Sequence, residues 1–285
     1  MSLHHEGHRA HGSRPGSTQV RIYRVGIPMR LDARAVVCGL AGNGETEVVT
    51  AEPAELRRRL CDGRLDAALL MPMDLQTASV PLTVLPAGCI AVKGRSLAAR
   101  LYAHGPPEEL SHVSGAAVAP TSAALVRLLW ACEYNRTIVS PPWETEHVGR
   151  PQEGDGMVME GDDVMTHPPL GFDHQFDIGR MWHDATGLPF VWAVWATRPE
   201  APEDCERLYR LLLAAGRRGS RHLRETVRRF AGKHGWPEDL AERYLLNEAQ
   251  FEFTDACRDG LEEFFFLAAG YDAIEHYRPV AYYEP

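Results

Sequence analysis

Long apolar runs are missing from this 285-residue chain. The ribbon "PFVWAVWA" (189–196) falls well short of the roughly 20 residues a membrane helix needs, so no membrane partner is expected. Lysine is nearly absent: Lys93 and Lys233 are the only two among 30 basic residues, against 39 acidic ones. The resulting formal charge of −9 argues against a nucleic-acid partner. The six cysteines (38, 61, 89, 132, 205 and 257) are scattered and form no CxxC pair. They read as reduced thiols of a cytoplasmic protein, mostly in its core. No GxGxxG, P-loop or GxSxG motif occurs, so no cofactor is expected. No His, Cys, Asp and Glu set has metal-ligand spacing. The four histidines of residues 1–18 (His4, His5, His8 and His11) lie in a stretch without an apolar core. That stretch reads as a disordered tail rather than a secretory signal.

What is present is alternation. "QVRIYRVG" (19–26) reads as a strand, "LDARAVVCGL" (31–40) as a short helix and "TEVVTA" (46–51) as a second strand. "PAELRRRLCDG" then has Pro53 in its first turn and Gly63 as a stop signal, which marks a helix. "LDAALLM" (65–71) follows as a buried strand, so this unit is a βαβ crossover and the sheet is parallel there. "VPLTVLP" and "GCIAV" supply one strand or two, and "ARLYAHG" another. A second α/β run follows, with "SGAAVAP", "RTIVSPP" and "GMVME" as strands. "TSAALVRLLWACEY" and "DIGRMWHDATG" read as its helices. Residues 140–176, dense in Pro, Gly and charge, read as a mobile loop region. After residue 200 the pattern is helical, at 202–215, 220–234, 237–247 and 255–269.

Two α/β sets suggest two lobes. The expected division is residues 19–103 plus 193–285 as the first and 104–192 as the second. The apolar ribbon at 189–196 has no polar alternation, which predicts a strand buried on both faces of a parallel sheet. It lies where the chain must return to the first lobe, on the floor of an interlobe cleft. Trp182, Trp192 and Trp195 read as core, and His174 and His183 as surface or capping residues.

"FDIGRMWHDATGLPFVWAVWA" (176–196) resembles the signature segment of the chorismate dehydratase family of futalosine-route menaquinone biosynthesis. "AELRRRLCDGRLDAALL", "AAVAPTSAALVRLL", "EGDDVM" and "ERYLLNEAQFEF…GLEEFFFLAA" resemble it in the same order. The resemblance covers nearly everything after residue 20. It implies an α/β clamshell like the type II periplasmic binding proteins, here with a C-terminal helical block. It also implies a cytosolic lyase that removes water from chorismate. The alternative is a paralogue that binds a small carboxylated ligand without that chemistry; monomer and homodimer both stay open. The departures are specific. Asp32 replaces the asparagine of the family's "YLN", which is thought important for catalysis, and so is the candidate catalytic position. Pro72 and Met73 replace a serine pair. Arg95, Ser96 and Ala98 stand in the "GPVxS" segment, and Ser122, Ala123, Ala124 and Leu125 in "SRTSV". Gly161 and Asp162 keep the family's "GD".

A site for a dicarboxylate needs anion-binding donors and exclusion of water. Thr121 and Ser122 open a helix, where free N–H groups receive carboxylates, although an ordinary N-cap uses the same residues. Arg30 and Arg95 at strand–loop junctions could fork onto a carboxylate, or be solvated surface arginines. Asp32 cannot donate a hydrogen bond unless protonated and repels an anion, or it simply complements a helix dipole. Met73, Ser96, Gly161 and Asp162 complete the candidate lining. Thr121 and Ser122 are expected on the lobe opposite Arg30, Arg95 and Met73.

Overall fold

The computed structural model describes residues 21–115, 119–139, 155–199, 205–275 and 277–285. The expected N-terminal tail, the "SGAAVAP" strand at its centre and much of the 140–176 loop lie outside them. Two separate sheets form. The first holds β1 (Tyr23–Ile27), β2 (Thr46–Thr50), β3 (Ala67–Leu70), β4 (Thr83–Val92) and β9 (Phe190–Thr197), with the short β10 (Ala249–Gln250) and β11 (Ala281–Tyr282) both on β4. The second runs in the order β6 (His112–Ser114), β7 (Asp155–Glu160), β5 (Ala99–Ala103), β8 (His174–Asp177). The expected division thus needs two corrections. Strand β5 pairs in the second sheet, with β7 and β8, and all of β9, residues 190–192 included, pairs in the first.

The β2–α1–β3 crossover is parallel: β2 and β3 flank β1 and both run parallel to it, with α1 (Pro53–Cys61) packed on β3. Strand β9 is buried along its whole length, yet it runs antiparallel to both β3 and β4. Apolar residues on both faces signal cover on both faces; they do not encode direction. Direction here is set by the chain path, since β9 re-enters the first sheet on its way back from the second. Strand β4 is one strand rather than two. Its register with β9 shifts between Leu85 and Cys89, where Pro86 has no N–H to donate and Gly88 takes φ +145°, so the ladder bulges without ending.

Helices α2 (Pro72–Thr77) and α9 (Asp255–Gly270) pack on β9, and α6 (Cys205–Arg221) on β4. Helices α3 (Pro120–Tyr134) and α5 (Ile178–Thr186) cover the second sheet, while α4 (Asp163–Thr166) follows β7. The helical block is completed by α7 (Leu223–Phe230) and α8 (Glu238–Arg243), the latter running into a π turn at Tyr244–Glu248. Around β9 the aromatic rings interlock: Phe190 lies 4.4 Å from Trp192 and 5.6 Å from Trp182, edge-on to the latter, and 5.2 Å from Phe264. Of the cysteines, only Cys89 and Cys257 are buried; Cys132 is exposed and the rest are partly buried. No helix among the described residues is long and apolar enough to cross a membrane.

Candidate functional site

The chain leaves β1 through Pro28 and turns at Arg30, whose N–H donates to the Pro28 carbonyl. A 3-10 turn starts two residues later, at Asp32. This tight path brings the two side chains face to face. Arg30 Nε and Nη2 donate to the two oxygens of Asp32 at 3.1 and 2.8 Å, and the Tyr244 hydroxyl donates to Oδ2 at 2.9 Å. Arg30 is 7% exposed and Asp32 2%. Burial by itself would make the guanidinium a weaker base, but Asp32, helped by Tyr244 and Glu160, outweighs it and raises the pKa. Burial and the Asp32 charge both push the Tyr244 phenol up, so its proton stays on. Arg30 Nη1 has no partner among the described residues.

Helix α3 opens with Pro120 at its first position, and Thr121 and Ser122 follow, both fully buried. Thr121 Oγ1 accepts from the Met73 N–H at 3.2 Å, tying the α3 start to the α2 start across the two sheets. The Ser122 hydroxyl donates to Glu160 Oε2 at 2.5 Å, and the Ser122 backbone N–H also stabilises that carboxylate. Glu160 is therefore seated on the α3 N-terminus. Burial pushes its carboxyl above the usual range, Arg30 and Ser122 oppose that rise, and Asp74 adds to it. Its Oε1 is sealed from solvent and has no partner. Asp74 is buried at the α2 start, where it accepts the Met71 N–H at 3.2 Å and pairs with Arg57 at 3.0 Å. Burial outweighs both contacts and pushes it up to about 6.

Gly161, directly after Glu160, takes φ +82°, and a Cβ there would lie 3.7 Å from the Arg30 side-chain stem. Glycine suits both the left-handed backbone and the close approach. Asp162 behaves differently from a ligand receptor. Both its oxygens lie 3.2 Å from the Leu31 N–H, the Trp236 indole donates to Oδ1 at 2.7 Å and His234 Nδ1 reaches Oδ2 at 2.7 Å. Arg34 donates to the other ring nitrogen of His234, so Nδ1 carries the proton and donates to Asp162. The carboxylate that was expected to line the cleft is committed to protein donors from the first sheet and the helical block. It latches the end of β7 to both.

The structure thus brings Arg30, Asp32, Met73, Thr121, Ser122, Gly161 and Asp162 to one junction between the sheets. Thr121 and Ser122 stand on the second-sheet side and Arg30 and Met73 on the first, as the crossover pattern predicts. Arg95 and Ser96 depart from that grouping. Arg95 is exposed. The Ser96 N–H donates to both oxygens of Asp177, at 2.9 and 3.0 Å, and its hydroxyl is buried without a partner. Asp177 also pairs with buried Arg100 at 2.7 Å. A cavity of about 480 Å³ opens elsewhere, lined by Ser220, Arg221, His222, Arg224, Arg228 and Asn247 among others, and shares no residue with the junction. Glu160, Tyr244, Asp74, His234 and Trp236 escaped the sequence reading. For Glu160 a signal existed: a carboxylate closing a strand immediately before a retained Gly-Asp pair. Tyr244 and Trp236 had none, because their partners lie more than 70 residues away.

A sequence profile of the family described as menaquinone biosynthesis matches residues 23–270. The chain is 28% identical over 263 residues to a chorismate dehydratase from Thermus thermophilus, covering 86% of this chain and 94% of that one. Among solved structures, a protein from Archaeoglobus fulgidus superposes with a TM-score of 0.62 at 14% identity, over 89% of this chain and 98% of that one. A Candida albicans gene product described as having the generic periplasmic-binding-protein fold gives 0.56 at 9% identity, over 88% and 94%. The alkanesulfonate-binding protein of Xanthomonas axonopodis pv. citri, bound to MOPS, gives 0.58 at 10%, over 91% and 96%. The fold is that of the periplasmic binding proteins, two α/β lobes with a C-terminal helical block, and the chain belongs to the menaquinone biosynthesis family.

Proposed function

We propose that this chain is a chorismate-dehydratase-type carbon–oxygen lyase of the cytoplasm. It removes water from chorismate, or a close ring acid, to give 3-[(1-carboxyvinyl)oxy]benzoate. The observation that carries the reading is Arg30. Its guanidinium is buried between the lobes with one edge held by Asp32, and Nη1 is left uncommitted. A substrate carboxylate meeting that nitrogen in a water-poor site gains a charge-assisted hydrogen bond at little cost in side-chain ordering, because Asp32 has already fixed the arginine. Family membership and the Thermus thermophilus relative support the reaction class.

Dehydration takes a proton from one ring carbon while the hydroxyl departs from its neighbour with the electrons of the C–O bond. The Tyr244 hydroxyl and its acceptor Asp32 adjoin Arg30, with Asp32 the candidate catalytic residue. A second reading, ligand binding without turnover, is favoured by Asp32 itself: it is an acceptor paired with Arg30, where the resemblance implies a neutral amide. The two readings separate on incubating purified protein with chorismate and following the enolpyruvyl benzoate by chromatography. Weak turnover with tighter chorismate binding by Asp32→Asn is expected. Robust turnover that Asp32→Asn abolishes would make Asp32 the catalytic base. No product from either protein would leave the binding reading alone.

A further inference from the structure

The start of α3 was expected to seat a substrate carboxylate. In the structure that seat is taken by the protein's own Glu160, held at 2.5 Å by the Ser122 hydroxyl and by the Ser122 N–H. Across the junction, Asp32 occupies the Nε–Nη2 edge of Arg30. Of the two anion receptors, one is therefore filled and the other is half open. We propose that Glu160 is a specificity-determining residue: its carboxyl stands in for one ligand carboxylate, so that the cleft takes a ring acid bearing a single carboxylate, received by Arg30 Nη1. This rests on the functional reading's choice of the Arg30 junction as the ligand site, and narrows its substrate from chorismate to a close ring acid with one carboxylate.

The physical case has three parts. Helix α3 spans 15 residues with Pro120 at its first position, so its leading N–H groups are a strong anion receptor. A competing carboxylate must displace Glu160 from Ser122 and leave it buried. Glu160 Oε1 is sealed without a partner, so displacing the carboxyl from Ser122 would leave both of its oxygens buried and uncompensated. The charged groups facing it are Arg30 on the first-sheet side and Asp74, backed by Arg57, at the start of α2. A second incoming carboxylate would thus meet Glu160 and Asp74 together, with Arg30 already shared with Asp32. A ligand with one carboxylate avoids that encounter.

The test is calorimetric titration of the wild-type protein, Glu160→Gln and Glu160→Ala with two probes: chorismate, with two carboxylates, and 3-hydroxybenzoate, with one. Thermal unfolding of each variant confirms that it folds, and Glu160→Gln keeps the shape should the alanine variant fail. Chorismate affinity is expected to rise at least tenfold in Glu160→Ala and several-fold in Glu160→Gln, while 3-hydroxybenzoate changes less than twofold. Wild-type chorismate binding should strengthen as the pH falls, as Glu160 takes up its proton. Chorismate affinity that is equal in all three proteins, or that rises in step with 3-hydroxybenzoate, overturns the proposal. Tight chorismate binding by Glu160→Ala without product sinks the lyase reading and leaves the specificity assignment standing. Binding of neither probe by any of the three proteins removes the junction as the ligand site and the proposal with it.

Discussion

The β9 ribbon and the Arg30 junction are buried to nearly the same degree, and they are held by opposite means. In β9, Phe190, Trp192, Val194 and Trp195 are at most 1% exposed and touch mainly apolar neighbours. Their stabilisation comes from area removed from water and from close packing, so it is indifferent to pH. At the junction, Arg30, Asp32, Thr121 and Ser122 are as deeply buried, but each is tolerable only because a partner compensates it. Removing one partner there leaves a stranded charge, and the balance shifts with proton concentration. The ribbon is held by apolar packing, and the junction by mutually dependent polar and charged groups.

The largest effect should come from the ribbon. Trp192→Ala deletes a fully buried ring packed on Phe190 and should cost roughly 3–5 kcal/mol, nearly constant from pH 5 to 8. Equilibrium unfolding in urea measures it; an unchanged midpoint would show that the ribbon is not core. Asp32→Ala should come next. It strands the Arg30 guanidinium and removes the Tyr244 acceptor, at a cost of about 3 kcal/mol, since breaking a buried pair by truncating one partner is expensive. The same loss in the double variant Arg30→Met, Asp32→Ala would refute the pairing, because removing both charges should recover most of the stability. The smallest effect sharpens the pH contrast. Asp74 is pushed from its ordinary 3.8 up to about 6 by burial. The folded state therefore holds the proton more tightly than the unfolded chain does. That contribution is fully present below about pH 4 and is lost as the pH rises through 6. Asp74→Asn should flatten this slope by roughly 1–3 kcal/mol, a tenfold change in proton affinity being worth about 1.4 kcal/mol. An identical pH slope in wild type and variant would remove Asp74 as its source.

Much of the architecture was legible. Pro53 and Gly63 bracket α1, and the apolar "LDAALL" after them is a buried strand, because caps and periodicity act within a few residues. The doubled apolar pattern of 189–196 announced cover on both faces. It carried no information on strand direction, and the parallel expectation failed for that reason. The candidate site was legible by half. Arg30, Asp32, Thr121 and Ser122 could be singled out because strand ends and helix starts are where polar groups converge. The pairing of Arg30 with Asp32, two residues on, also follows from local geometry.

Sequence alone therefore determined the local elements, the apolar ribbon and the chemical character of the junction, each through interactions that span a turn or less. Tertiary structure alone decided which of those groups remain available. Glu160 reaches Ser122 across 38 residues, Asp162 reaches Trp236 across 74 and Tyr244 reaches Asp32 across 212. Two carboxylates of the expected lining, Asp32 and Asp162, are held by protein donors, and a third, Glu160, sits on Ser122 at the α3 start. The physical reason is that a buried charge takes the nearest compensating partner in space, and nearness in space is set by how the two lobes close on one another.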